Sequence, residues 1–155
     1  MRRSFVFATT AAIAASLSTT LLAGTALAQA AAIRQQVIPE GQSASPTLTP
    51  GIRVGNMLFA SGQLGMSRTA PDTTIQGQTR LALESTKKVF EAAGTTLANA
   101  TKCTVFLTDV KDFAGMNSVY RELFPVAPPA RSTVVVAALV STGAKVEIEC
   151  AGYIP

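Results

Sequence analysis

Two charged residues near the C-terminal end have the types and the placement for chemistry on a small acid. Arg131 falls in Pro129-Ala130-Arg131-Ser132-Thr133, which opens one β-rich run, and Glu147 falls in Lys145-Val146-Glu147-Ile148-Glu149, which opens the next. A guanidinium at a strand entrance grips a carboxylate through two parallel N–H donors. A carboxylate on a neighbouring strand can hold a water and take its proton. Together they outline an enzyme site for a small anionic substrate. Plainer readings stand beside this one: Arg131 as a structural ion pair with Glu149 or Glu122, and Glu147 as a solvated strand residue.

Composition narrows the chemistry. Histidine is absent, which removes the commonest general base and the commonest metal ligand, so acid–base work falls to carboxylates and a zinc site is not expected. The formal charge of +4 owes half its value to Arg2 and Arg3. The remaining lysines and arginines are dispersed and do not cluster with aromatics, so no nucleic-acid partner is expected.

The elements that must carry these residues follow from turn signals and periodicity. Ile52-Arg53-Val54, Gly55-Asn56 and Met57-Leu58-Phe59-Ala60 read as a hairpin with a two-residue turn, its second strand ending at Ser61-Gly62-Gln63. A helix begins near Thr74, with Ala82, Val89, Phe90 and Ala93 at helical spacing and Gly94 as its stop. Cys103 to Thr108 is β-rich. Asp112 is placed to cap a second helix whose stripe is Phe113, Met116, Tyr120, Leu123 and Phe124, with Asn117 on the same stripe. Tyr120 and Phe124 read as core, and Asn117 as either a site residue or a satisfied core amide. Prolines 125, 128 and 129 steer the chain into a strand from Ser132 to Leu139, and Ser141-Thr142-Gly143-Ala144 turns it into a last strand from Lys145 to Tyr153. The order predicts an α+β fold with two helices on one face of a sheet.

Alternation along the last strand sets Val146, Ile148 and Cys150 on one side and Glu147, Glu149, Ala151 and Tyr153 on the other. A second face of mixed polar and apolar character is suited to subunit contacts, which would place Glu147 in an intersubunit cleft; a solvated face is the alternative. Cys103 and Cys150 each fall within a predicted strand. They read as buried apolar thiols, with a disulfide as the alternative.

The N-terminal segment, residues 1–28, has the pattern of a secretory signal: Met1-Arg2-Arg3, an apolar run from Phe5 to about Ala23, and small residues in Thr25-Ala26-Leu27-Ala28. Cleavage after Ala28 or after Ala30 starts the mature chain at Gln29 or Ala31. An uncleaved anchor is the alternative, disfavoured by the Ala, Ser and Thr content. The reading implies a periplasmic or secreted protein with no stable membrane insertion after cleavage. Residues 29–50 read as an extended lead-in without regular structure, and residues 51–155 as the folded domain, which makes a mature chain of about 125 residues, one core's worth.

The ordered set Gly55-Asn56-Met57, Ser61-Gly62-Gln63, Cys103 to Asp109, Phe113 with Asn117 and Tyr120, Pro129-Ala130-Arg131-Ser132 and Lys145 to Glu149 resembles the Rid family of reactive-intermediate deaminases, also called YjgF, over almost all of the mature chain. The resemblance implies a chorismate-mutase-like subunit, a homotrimer with three intersubunit clefts, and cofactor-free hydrolysis of imines or enamines of small carboxylic acids to keto acids and ammonia. It implies that Arg131 grips the substrate carboxylate and Glu147 positions the water. Gly62 would help hold the ligand, with Ser61 beside it, and Asn117 would lie close. Three positions depart from the family pattern: Leu48 stands where many members have tyrosine, Thr133 where they have cysteine, and Gly65 near a common proline. Thr133 retains a hydroxyl donor, whereas Leu48 makes its wall of the pocket more apolar. A binding or sensing module without turnover is the alternative on the same fold, motivated by the export signal. An endoribonuclease role, attached to some relatives, is disfavoured by the weak charge.

Overall fold

The computed structural model describes residues 33–67 and 72–155. The secretory segment expected at residues 1–28 lies outside the described residues. Six strands and two helices follow in the order β1 (Arg34–Val37), β2 (Gly51–Val54), β3 (Met57–Leu64), α1 (Ile75–Ala92), β4 (Ala100–Leu107), α2 (Phe113–Leu123), β5 (Ala130–Val135) and β6 (Val146–Tyr153). The strands form one mixed sheet in the order β1-β2-β3-β6-β4-β5, antiparallel except where β4 runs parallel to β5. This is the expected α+β layer.

The hairpin forms at Gly55-Asn56, where Gly55 takes a positive φ of 58° that a side chain would resist. Thr74 caps α1 by accepting from Gly77 N at 3.1 Å, and Asp72 braces the cap by accepting from both the amide and the hydroxyl of Thr74. Gly94, at a φ of 81°, ends the helix turn. Helix α1 lays Ala82, Leu83, Val89 and Phe90 on the sheet, where they meet Leu58, Val105, Val146 and Ile148; all eight side chains are fully buried. Their removal from water is the main source of stability, on the order of 1.5–3 kcal/mol for each large apolar side chain.

Four expectations are corrected. The lead-in is not without regular structure: Arg34–Val37 pairs antiparallel with β2. It is an edge strand with only Val37 buried, so its sequence is polar and lacks strand alternation. Asp112 stands at the start of α2 but makes no side-chain cap. Asp109 accepts from Lys111 N at 2.9 Å and opens a short 3₁₀ turn, Val110–Asp112, that runs into α2, while Asp112 meets Lys145 Nζ at 3.2 Å. The fifth strand ends at Val135 instead of Leu139, because its partner β4 ends at Leu107. Finally, Cys103 and Cys150 are joined in a disulfide and are not free thiols. They are direct partners across β4 and β6, with Cα atoms 4.1 Å apart, a register that separate strand assignments do not reveal.

One buried side chain ties the approaches to the last strand. Gln78 of α1, 1% exposed, donates to Asp72 O at 2.9 Å and to Gly143 O at 3.0 Å, and accepts from Lys145 N at 2.7 Å. Gly65, just beyond β3, packs on the Gln78 backbone so closely that a Cβ has no room, and its amide donates to Val146 O at 3.2 Å. A proline there would forfeit that bond.

Candidate active site

The sequence-predicted residues separate into two groups. Arg131 leaves β5 toward α2: its guanidinium carbon lies 4.6 Å from the Tyr120 ring centroid and 5.9 Å from that of Phe113, and its Nη1 donates to Met116 Sδ at 3.8 Å. Stacking on aromatic faces fixes the guanidinium plane and leaves its other N–H donors for a ligand. The ion pairs considered for Arg131 are not made. Glu122 is bound by Arg80 of α1, and Glu149 projects from the other face of the sheet.

Around Arg131 lies a cleft of about 440 Å³ lined by Asn117, Tyr120, Arg121, Phe124, Pro128, Pro129 and Arg131. Asn117 is half-buried and makes no side-chain hydrogen bond with a described residue, so it is not a satisfied core amide. Tyr120 and Phe124 serve both as core and as lining, each 5% exposed, with ring centroids 4.7 Å apart. The Tyr120 hydroxyl is buried without a partner among the described residues, and burial pushes its pKa up to about 12 against the opposing pull of Arg131. Thr133 follows Arg131 by two residues on β5, so both share a face. Its hydroxyl oxygen is likewise buried and unpartnered among the described residues, and it borders an apolar hollow shared with Leu107, Val110, Phe113 and Val135.

The second group forms on the opposite face. Along β6 the residues Val146, Ile148 and Cys150 are buried beneath the helices, and Glu147 and Glu149 point away from them. Pairing between β3 and β6 shifts between Ala60 and Gln63, leaving Ser61 and Gly62 in an irregular stretch, the kind of local distortion that re-aims a strand beside a site. A Cβ on Gly62 would land on the Glu147 carboxylate, so glycine is what lets that carboxylate lie against the backbone of β3. Burial raises the Glu147 pKa above the ordinary glutamate value, and the like charge of Glu149 adds to the rise.

Ser61, expected beside the ligand-holding Gly62, has its polar groups engaged within the chain. Its hydroxyl donates to Thr49 O at 2.7 Å and its amide to Pro50 O at 2.9 Å, so it fastens the segment before β2 to the irregular stretch. Leu48, immediately before Thr49, is half-exposed.

Arg131 and Glu147 are not side by side as their places at two successive strand entrances suggested. β4 lies between β5 and β6, and the two side chains occupy opposite faces. Sequence reading also passed over Arg121, which lines the Arg131 cleft. Its spacing from Asn117, one helical turn, was the available signal. Among the described residues no group of three or more His, Cys, Asp or Glu is arranged to hold a metal ion, and no helix is long and apolar enough to cross a membrane.

The chain is thus a helix-backed α+β fold with an arginine cleft on one face of the sheet and the Glu147 carboxylate against Gly62 on the other. Residues 40–154 match the family model described as endoribonuclease L-PSP, and the chain belongs to that family, also called Rid or YjgF. The mitochondrial protein mmf2 of Schizosaccharomyces pombe is 44% identical over 103 residues, covering 64% of this chain and 81% of the relative. The chloroplastic Reactive Intermediate Deaminase A of Arabidopsis thaliana is 34% identical over 130 residues, 78% of this chain and 67% of its own. Among solved structures, Escherichia coli TdcF with bound serine aligns with a TM-score of 0.67 and 34% identity, covering 78% of this chain and 96% of that one.

Proposed function

We propose that the protein is a cofactor-free hydrolase of reactive imines and enamines of small carboxylic acids, acting in clefts between the subunits of a homotrimer. One observation carries the reading. The arginine cleft and the carboxylate notch sit on opposite faces of one chain, so a complete site requires the Arg131 face of one subunit against the Glu147 face of the next. Cyclic symmetry closes such a head-to-tail contact into a ring. Half-exposed Met57, Phe59 and Tyr153 on the open sheet face supply apolar area for the contact. A relative named as a reactive intermediate deaminase and another that holds serine support a small amino-acid-like ligand.

In this reading Arg131 fixes the substrate carboxylate, with Asn117 and Thr133 beside it. The iminium carbon is already electrophilic. Glu147 of the adjoining subunit holds a water, accepts its proton as oxygen adds to that carbon, and returns a proton to the nitrogen. The carbinolamine then collapses to the keto acid and ammonia. Water and imine enter, keto acid and ammonia leave, and no redox partner or cofactor is needed. A glutamate raised by burial is better matched to proton transfer near neutrality than an exposed one.

The reading includes export. The disulfide between Cys103 and Cys150 suits an oxidising compartment, in keeping with residues 1–28 as a secretory signal and a periplasmic or secreted mature protein. The same observation favours one second reading, an exported small-carboxylate binding module without turnover. An RNA-cleaving role, which the family description names, has less support because the basic residues are dispersed. The deciding experiment incubates the mature protein with freshly generated 2-imino acids and follows keto-acid release. Release faster than the spontaneous rate supports the enzyme; saturable keto-acid binding without acceleration supports the module.

A further inference from the structure

The cleft beside Arg131 holds a second cation that deamination of a monocarboxylic imine does not use. Arg121 and Arg131 both line it, and no Asp or Glu does. Arg121 follows Asn117 by one turn of α2, so the two side chains leave the helix on one face. Glu122, its immediate neighbour, is engaged by Arg80 of α1. Among the described residues neither Arg121 nor Arg131 has a carboxylate partner. The rest of the lining is Asn117, Tyr120, Phe124, Pro128 and Pro129, so the two arginines share a mostly apolar cleft. A cavity of about 440 Å³ has room for a four- or five-carbon diacid.

We infer that the preferred ligand is a dicarboxylic 2-imino acid, its first carboxylate on Arg131 and its distal carboxylate on Arg121, which makes Arg121 the specificity-determining residue. The inference rests on the deaminase reading for the identity of the first contact. The second contact follows from two arginines without carboxylate partners lining one mostly apolar cleft. The second cation gives a monocarboxylate nothing and gives a diacid one further charge-assisted pair, weakened by solvent at the exposed Arg121 but enough to discriminate.

The test uses 2-oxoglutarate and 2-oxobutanoate, which differ only in the distal carboxylate. Calorimetric titration of the mature protein should show 2-oxoglutarate binding at least about tenfold more tightly. Arg121→Ala should bring 2-oxoglutarate down to the affinity of 2-oxobutanoate, and Arg121→Lys should restore part of the preference. Because Arg121 is exposed, these variants leave the core intact. Equal affinities in the wild type, or a preference that survives Arg121→Ala, would overturn the inference. Turnover of the imines of glutamate and 2-aminobutyrate is measured in parallel. Failure to accelerate either one counts against the deaminase reading, while the titration still decides whether the distal carboxylate is recognised.

Discussion

Arg131 and Glu147 face away from each other across a single sheet, with β4 between their strands. No rotamer change brings a guanidinium and a carboxylate together through a packed layer. In the deaminase reading their cooperation requires two chains, and mixing two variant proteins tests that.

Arg131→Ala and Glu147→Gln proteins should each be inactive alone and recover activity when unfolded and refolded together. In a ring, every mixed trimer holds one interface with an intact Arg131 and an intact Glu147, so equal mixing restores about a quarter of the wild-type rate. Turnover assays after co-refolding, with light scattering to report the trimer, check this. Mixed trimers without activity would place both groups in one chain or remove one from the chemistry.

Arg131→Lys should remain impaired. The planar guanidinium lies over the Tyr120 ring at 4.6 Å, and a lysine ammonium can reproduce neither the stacking nor the two-pronged grip. Arg131→Ala should weaken keto-acid binding by about 2–4 kcal/mol, measured by titration, and lysine should recover only part of that loss.

The pH profile carries a sign. Burial and the charge of Glu149 raise the Glu147 pKa, so a rate that depends on ionised Glu147 climbs as pH rises through that raised value. Glu149→Gln removes the like charge and should move the climbing limb to lower pH, visible in kcat/KM profiles. The stability effect runs the other way. A raised folded pKa favours the protonated form, so the contribution of Glu147 is present below its unfolded pKa and lost as pH rises through the folded one.

Reduction of Cys103–Cys150 opens a covalent loop with a sequence separation of 47. Its removal should cost about 2–4 kcal/mol. Denaturant unfolding with and without reductant should show this loss, and the Cys103→Ser/Cys150→Ser protein should lose more because it also buries two hydroxyls. An unchanged midpoint would mean that the buried sulfurs contribute only packing.

The hairpin, both helices and the last strand were readable because each has a local signal: Gly55-Asn56, the apolar stripes ending at Gly94 and Phe124, and the alternation from Val146 to Tyr153. β1 was not, since an edge strand with one buried residue has no apolar rhythm. The division of Arg131 and Glu147 between two faces was not readable. That division depends on β4 inserting between β5 and β6, and strand order is set by packing across the sheet. The disulfide escaped for the same reason, as it needs the register that makes Cys103 and Cys150 partners. Beyond its spacing from Asn117, Arg121 has no distinguishing local signal, because its place in the cleft depends on Pro128 and Pro129 lying beside α2.

Gln78 anchors the loop before α1 and the turn before β6 to the same buried helix position, and Gly65 seats the end of β3 against it. The strands that carry Glu147 and Gly62 are thereby tied to a buried anchor, whereas Arg121 and Asn117 stand on α2 and make no side-chain hydrogen bond or ion pair with a described residue. Substitutions at those two helix positions can accumulate without disturbing the strands that bear Glu147 and Gly62. In the deaminase reading, the acid that is recognised can then change at α2 while the strands proposed to handle water are inherited unchanged.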